Sequence, residues 1–459
     1  MQFELTKDFL EELKDDIARF DRNAVSSKVK ELHAADIAEI LDEVNLIEAQ
    51  FIFKLLDDEL GSDVIVELDE DVRERFLASL TDAEIAEYVD QLDTDDAADL
   101  IGELPEKRQE DVLAQVDDDE QASDIAQLLT YDEDSAGGLM ATELIKVNVN
   151  WNIVTCVREM RKQAEDVNQV FTVYVVDDKD VLLGIVSLKK MLLNSTRTLI
   201  KDIYKEGILS VEATMEAEDV AKLMEKYDLV VVPVVDRQHR LLGRITVDDI
   251  MDVVREETSK DYQMMSGISE NIETTDTVWI MSRARLPWLL VAMFGGIAGA
   301  MVIGNYEHEL QINPQMAFFI PLVVAMGGNV GIQSSALIVQ GLANDTLSKD
   351  GMIKRILKEL MVGLVNGLAC TAVLMVYSGV FGYPLELSLT IGASLLAVIL
   401  FAAAFGTFMP LTLNRMKIDP ALATGPFITT SNDIIGLFFY FMIGRLMYGP
   451  WLQEILASY

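Results

Sequence analysis

Gly425-Pro426-Phe427-Ile428-Thr429-Thr430-Ser431-Asn432-Asp433 opens the last long apolar stretch of the chain, residues 425–448. Asp433 lies about eight residues into it, roughly 12 Å along a helix that rises about 1.5 Å per residue. An uncompensated carboxylate at such a depth in hydrocarbon costs several kcal/mol, so it marks a functional position by default. The polar run before it, and the lack of a nearby intramembrane Lys or Arg, argue against a mere capping role.

Four more apolar stretches precede it, at about 287–305, 315–341, 360–381 and 388–413. Each reaches the roughly 20 residues needed to cross a bilayer core. The second carries Pro321 and then Met326-Gly327-Gly328-Asn329-Val330-Gly331, with Gln333, Ser334 and Ser335 behind. This run is expected to break or thin the helix, which a membrane tolerates only beside protein or water. Lys and Arg placement gives the orientation. Arg283 and Arg285 precede the first span; Lys349, Lys354, Arg355 and Lys358 follow the second; Arg415 and Lys417 follow the fourth. The opposite loops, NYEHELQINP and FGYPLELS, hold none, and neither does the tail after Arg445, itself an expected interfacial anchor. Residues 1–282 are therefore expected in the cytoplasm.

The charge is divided as sharply as the hydropathy. Of 37 basic and 76 acidic residues, nine of each lie from Arg283 onward, so 28 and 67 remain in residues 1–282. The whole net charge of −39 belongs to that first part. Such a field repels nucleic acid and anionic headgroups and attracts cations. Cys156 and Cys370 fall in different regions, which excludes a disulfide framework. His33, His239 and His308 are widely separated, so zinc or copper spacing is absent. The opening MQFELTKDFLEELKDD is charged and helical in pattern and is not expected to be a signal peptide.

Carboxylate, carbonyl, amide and hydroxyl oxygens suit a hard cation. One deep carboxylate per chain cannot build a calcium cage, but it can hold a largely hydrated Mg²⁺ if two chains each supply one. Five spans are few for a complete pathway, so a pore between the subunits of a symmetric dimer, with Asp433 near its own copy, is the economical expectation.

Residues 1–130 read as short helices with an internal echo. Ala35-Asp36-Ile37-Ala38-Glu39-Ile40-Leu41 recurs at Ala83–Val89, and again at Ala98–Ile101 and Ser123–Leu129. That spacing suggests stacked helical pairs, a small solenoid. Asp95 and Asp99 share a helix face, with Asp96 beside them. They can bind a divalent ion, although acidic runs are more often plain solvated surface. Residues 140–258 hold a clearer repeat: Val173–Asp177 with Leu182–Ser187 is matched by Val232–Asp236 with Leu241–Thr246. Each copy reads as strand, turn, strand and helix, preceded by another helix. This resembles a tandem cystathionine-β-synthase (CBS) domain pair, a ligand-sensing module. Thr246 and Asp249 fit the T-x-x-D pattern that holds a ribose in nucleotide-binding members; the first copy has Lys189-Lys190 there and no Asp. A dimerising module without nucleotide fits as well. Residues 250–282 read as one long polar helix, with Asp252, Glu256, Glu257 and Asp261, leading directly into the first span.

The order of these parts, with Tyr131-Asp132-Glu133-Asp134-Ser135-Ala136-Gly137-Gly138-Leu139-Met140 between solenoid and sensor pair, resembles the MgtE family of bacterial magnesium channels. Pro426–Asp433 is similar to that family's pore signature. The resemblance implies a multidomain chain: an all-α cytoplasmic solenoid (1–130), α+β CBS domains (131–200 and 201–258), a connecting or plug helix (259–284) and a five-span α-helical pore domain (285–459). It implies a homodimer in the plasma (inner) membrane. Asp433, Asn432 and the Thr429 region would face Mg²⁺, and cytoplasmic Mg²⁺ would close the channel. The regulatory acids carry over as Asp95, Asp99, Glu218, Asp228, Asp249, Asp252, Glu257, Asp261 and Asp419. Lys260 stands where the family usually has an acid. ATP at Thr246 and Asp249 is a further expectation. The alternatives are an ion-coupled secondary transporter of divalent cations and a membrane-tethered nucleotide or metal sensor. An enzyme is not expected, since there is no nucleophile–base pair and no P-loop.

Overall fold

The computed structural model describes residues 3–164, 167, 170–269, 272, 277–343 and 351–448. Lys349, used above for orientation, lies outside them, as do Asp345, Asp350 and Glu454. The chain divides into two compact units, residues 1–256 and 257–459.

In the first unit the echo seen in the sequence becomes repeated short helices. Among the described residues ten helices run from Lys7–Ala18 to Asp119–Leu128. Local chemistry sets their starts: Asn45 and Thr81 each form a capping box with the Glu three residues on, which satisfies two orphan N–H groups at once. Their apolar stripes converge. Ile37, Ile40, Leu41, Ile52, Ile65, Phe76 and Ile85 are buried, and the Phe53 ring meets Phe76 at 4.6 Å and Tyr88 at 5.3 Å. Burying each such side chain contributes about 1.5–3 kcal/mol.

Two small sheets follow. The first joins β1 (Ile145–Asn148), β2 (Val173–Val176), β3 (Leu182–Val186) and β4 (Lys205–Glu206) in that order; the second joins β5 (Val211–Glu212), β6 (Val231–Val235) and β7 (Leu241–Thr246). In each, a parallel pair (β1 with β2, β5 with β6) is crossed over by a helix, Ile153–Gln163 or Ala217–Lys226, and the next strand returns antiparallel. β2 is buried along its whole length, hence its unbroken apolar run. The helix after β7 runs from Val247 to Met265. It stops there, short of the 250–282 expected: Gly267 adopts φ +81°, the left-handed turn that glycine reaches at least cost.

Among the described residues, the second unit contains five helical segments long and apolar enough to cross a membrane: Val278–Asn305, Pro314–Ala343, Met352–Val380, Leu385–Arg415 and Pro420–Tyr448. The second is not broken at its glycines; it is α-helical from Ile320 to Ala343. The glycines serve close approach instead. A methyl at Gly327 would lie 2.9 Å from Val398 of the fourth span, and one at Gly331 would overlap the Asn432 amide of the fifth. Gly406 of the fourth span rests on the Gly331 backbone. Helices of this kind associate in lipid through small residues rather than through a hydrophobic drive. Tyr440 closes the far side, donating to the Met316 carbonyl at 2.7 Å.

Candidate functional site

The fifth span turns helical at Pro426, whose missing N–H costs nothing at a first helical position. Asp433 is thus the eighth residue of that helix. Thr429, four residues earlier, lies on the same row, and its hydroxyl donates to the Gly425 carbonyl at 2.9 Å. Both face Gly328 of the second span: a methyl there would sit 3.2 Å from Thr429 Cγ2 and 3.8 Å from Asp433 Oδ1. That Oδ1 is buried and accepts no hydrogen bond. Asn432 takes a neighbouring row. Its amide, 1 % exposed, is directed at Gly331, and neither Nδ2 nor Oδ1 has a partner. Glu359 of the third span accepts from the buried Ser334 hydroxyl at 3.2 Å, so Asp433 is not the sole acid within the spans.

The expected regulatory acids are distributed unevenly. Asp95, Asp96 and Asp99 occupy the helix Thr94–Gly102, and Asp249 lies in the first turn of the helix that follows β7. Burial, then repulsion from Asp249, pushes the Asp96 carboxyl up to about 7. Asp99 is also pushed up to about 7, first by desolvation, then by Glu133; its side chain reaches solvent, but protein crowds it on the other sides. Asp95 is raised well above the ordinary range by burial, Asp96 and Asp249. Asp249 rises through burial although Thr246 donates to its Oδ2 from both N–H (2.9 Å) and Oγ1 (2.7 Å). The fold therefore gathers Asp95, Asp99 and Asp249, with Asp93, Asp96 and Glu143 added, into one field of repelling carboxylates. Their donor chemistry fits a hard, hydrated cation. Among the described residues, however, no three acid, His or Cys side chains converge closely enough to cage a metal by themselves.

The remaining acids stand apart from this field. Glu218 is exposed and pairs with Lys222 at 2.6 Å. Asp228 is exposed in a turn at φ +50°, and Asp252 is exposed. In the second unit, Lys260 pairs with Glu257 at 3.0 Å, and Asp261 lies one residue on. Asp419 caps the turn before the fifth span, accepting from Ala421 N–H at 2.7 Å. At that turn the end of the helix Val247–Met265 meets the head of the fifth span. Gly425 (φ +55°) rests on the Met265 carbonyl, Gly267 presses on the Pro426 ring, and Ser269 binds the Ala284 carbonyl of the first span at 2.8 Å.

Residues 320–443 match the MgtE family of divalent cation transporters, residues 32–134 the MgtE intracellular N domain, and residues 136–195 and 200–256 the CBS domain. The magnesium transporter MgtE of Enterococcus faecalis is 35 % identical over 326 residues, 71 % of this chain and 72 % of its own length. The chain belongs to the MgtE family of magnesium transporters. MgtE of Thermus thermophilus is 33 % identical over 331 residues, with 71 % and 72 % covered. A solved cytosolic domain of the Mg²⁺ channel MgtE in complex with ATP superposes with a TM-score of 0.50 at 29 % identity, covering 53 % of this chain and 99 % of that one.

An MgtE architecture accounts for the fold expected from sequence: intracellular N domain, CBS pair and membrane helices. The family is one of transporters, not enzymes. Asp93, Glu143 and Arg244 were not singled out by sequence reading, since only tertiary structure puts them together. The one local signal was Asp93 at the N-cap position of an acidic helix.

Proposed function

We propose that two copies of this chain form a magnesium-selective channel for uptake across the plasma (inner) membrane, with the path at their interface. The observation that carries the reading is Asp433: eighth in the fifth span, aligned with Thr429 over Gly328, with a buried carboxylate oxygen lacking any hydrogen bond. A bare carboxylate facing its own copy can hold a hydrated Mg²⁺ through the ion's waters, and Thr429 and Asn432 add neutral oxygens nearby.

Cytoplasmic Mg²⁺ closes this path. Asp95, Asp99 and Asp249 hold it in the first unit; Glu218, Asp228 and Asp252 offer further carboxylates; Glu257, Asp261 and Asp419 do so beside the pore. Bound there, the ion supplies positive charge between groups that repel one another. Because it binds the compact arrangement better, it shifts the population toward closure. The contact of Gly267 and Met265 with Pro426 and Gly425 supports transmission of that change to the helix that carries Asp433. For a nucleotide such as ATP, Thr246 and Asp249 are the contacts; the ribose would compete with the hydrogen bonds Thr246 now gives Asp249.

The test is Mg²⁺ uptake into proteoliposomes holding the full chain, wild type beside Asp433→Ala, with the cytoplasmic face at low and then millimolar Mg²⁺. Uptake that needs Asp433 and stops at high Mg²⁺ is expected. Unchanged uptake in Asp433→Ala would refute the pore assignment, and absent flux in both would favour a tethered sensor.

A further inference from the structure

The two CBS copies align Leu182-Leu183-Gly184-Ile185-Val186 with Leu241-Leu242-Gly243-Arg244-Ile245, so an apolar seat in the first copy is an arginine in the second. Arg244 is the more deeply buried of the two: it is 5 % exposed on β7, whereas Ile185 is only half-buried on β3. A guanidinium withdrawn from water this far costs several kcal/mol unless it is paired. Its surroundings are built for one. The charge lies over the Phe171 ring, 5.2 Å from its centre, a favourable cation–π placement. The backbone is fixed by reciprocal hydrogen bonds with Ala141, each 2.9 Å. A small cavity lined by Arg244, Phe171, Thr172 and the buried Tyr174 lies against it.

The counter-charge comes from another domain. Asp93 of the helical solenoid reaches Arg244 at 3.6 Å. Asp93 holds the N-cap position of the helix Thr94–Gly102, yet its side chain caps nothing. Glu143, just before β1, does that work instead: Thr94 donates to it from N–H at 3.1 Å and from Oγ1 at 3.0 Å. Thr142 N–H donates to Thr94 Oγ1 at 2.9 Å, and Thr142 Oγ1 to Asp124 at 3.2 Å. The capping duty of Asp93 has thus passed to the sensor side, and its carboxylate faces Arg244.

We propose that Arg244 is a built-in cation that clamps the helical domain to the CBS pair through Asp93 when no magnesium is bound. It supplies, inside the acidic field, one permanent positive charge of the kind Mg²⁺ would bring. The helical domain then starts from a docked position, and the metal has less repulsion to overcome. The clamp goes beyond the gating reading and does not depend on it, because it acts with metal absent.

Hydrogen exchange on the full chain in detergent micelles with EDTA tests this. The reporters are the Thr94 and Thr142 amides, both donated across the joint. Arg244→Gln and Asp93→Asn should each speed their exchange, on the order of tenfold, as for loss of a partly buried ion pair. The double variant should add little beyond either single one, since both remove the same pair. Arg244→Lys, which keeps the charge but not the planar stack, should fall between. Asp93→Asn leaves the CBS interior untouched and so answers for Arg244→Gln should that variant fold poorly. Unchanged exchange in Asp93→Asn, or single effects that multiply in the double variant, would overturn the clamp. So would acceleration that spreads equally to Ile37–Leu41, which assigns both residues to general stability.

Discussion

Gly267 and Gly425 lie against one another in left-handed backbone, at φ +81° and +55°, so that the end of the helix Val247–Met265 rests on the head of the fifth span. No other residue type fits either place. A methyl on Gly425 would overlap the Met265 carbonyl, and one on Gly267 would lie 2.5 Å from Pro426 Cγ. Gly425→Ala should push the two segments apart while leaving Asp433 on its row, two turns away. The expected outcome is Mg²⁺ uptake that persists at millimolar cytoplasmic Mg²⁺, where the proposed gate should stop the wild type. Uptake from liposomes, read against cytoplasmic Mg²⁺, checks it; wild-type closure in Gly425→Ala would deny this joint a part in the gate.

Inside the membrane the prediction concerns packing. Gly331→Ala places a methyl where the Asn432 amide now sits, and overpacking of a tight contact costs about 1–3 kcal/mol. Gly296, on the first span, has open space around its Cβ direction. Gly331→Ala should therefore lower the thermal midpoint in detergent and reduce uptake, while Gly296→Ala changes neither. Equal behaviour of the two variants would show that the contact of Gly331 with Asn432 carries no weight.

These glycines show where sequence reading reached and where it stopped. The apolar lengths, the Lys and Arg placement and the depth of Asp433 were legible, because hydrocarbon thickness and backbone satisfaction constrain them directly. A glycine-rich run, however, reads alike whether it breaks a helix or lets a neighbour in; Val398, Asn432 and Gly406 decide for the second, and they lie 71 to 101 positions from the glycines they touch. The stop at Met265 was equally hidden, since polar periodicity continues beyond it. In the first unit the CBS repeat was plain from its strand pairs. Asp95, Asp99 and Asp249 could be named but not gathered: the solenoid had to fold back on β7 before Asp249 could raise the carboxylates of the helix Thr94–Gly102.

Glu143 gives a stability prediction of its own. It caps a helix begun 49 residues earlier, through two hydrogen bonds from Thr94. Thr94→Val keeps the shape but removes the hydroxyl that binds Glu143 and receives Thr142 N–H. Loss of helix-cap contacts costs about 0.5–2 kcal/mol. Thr94→Val should accordingly unfold the cytoplasmic region earlier in a thermal or urea titration, whereas Thr81→Val, which lies at a separate helix start, should not alter the exchange of the Thr142 amide. A Thr142 amide indifferent to Thr94→Val would contradict the cross-domain hydrogen bond.

The acid field makes stability depend on pH in a defined direction. Asp96 and Asp99 titrate near 7 when folded, and an unfolded aspartate near 3.9. Between those values the folded chain holds more protons than the unfolded one, so stability falls as pH rises through the window from about 4 to about 7. A depressed carboxylate would give the opposite slope. Mg²⁺ competes with those protons, so its stabilising effect should be small at pH 5 and large at pH 8. The check is the thermal midpoint of the cytoplasmic transition at pH 5 and pH 8, with EDTA and with millimolar Mg²⁺. Asp96→Asn with Asp99→Asn should raise the metal-free midpoint at pH 8, leave it nearly unchanged at pH 5, and flatten the Mg²⁺ response. A metal-free midpoint that climbs from pH 5 to pH 8, in wild type, would mean that these carboxylates are not held in mutual repulsion, and the case for magnesium at Asp95, Asp99 and Asp249 would lose its physical basis.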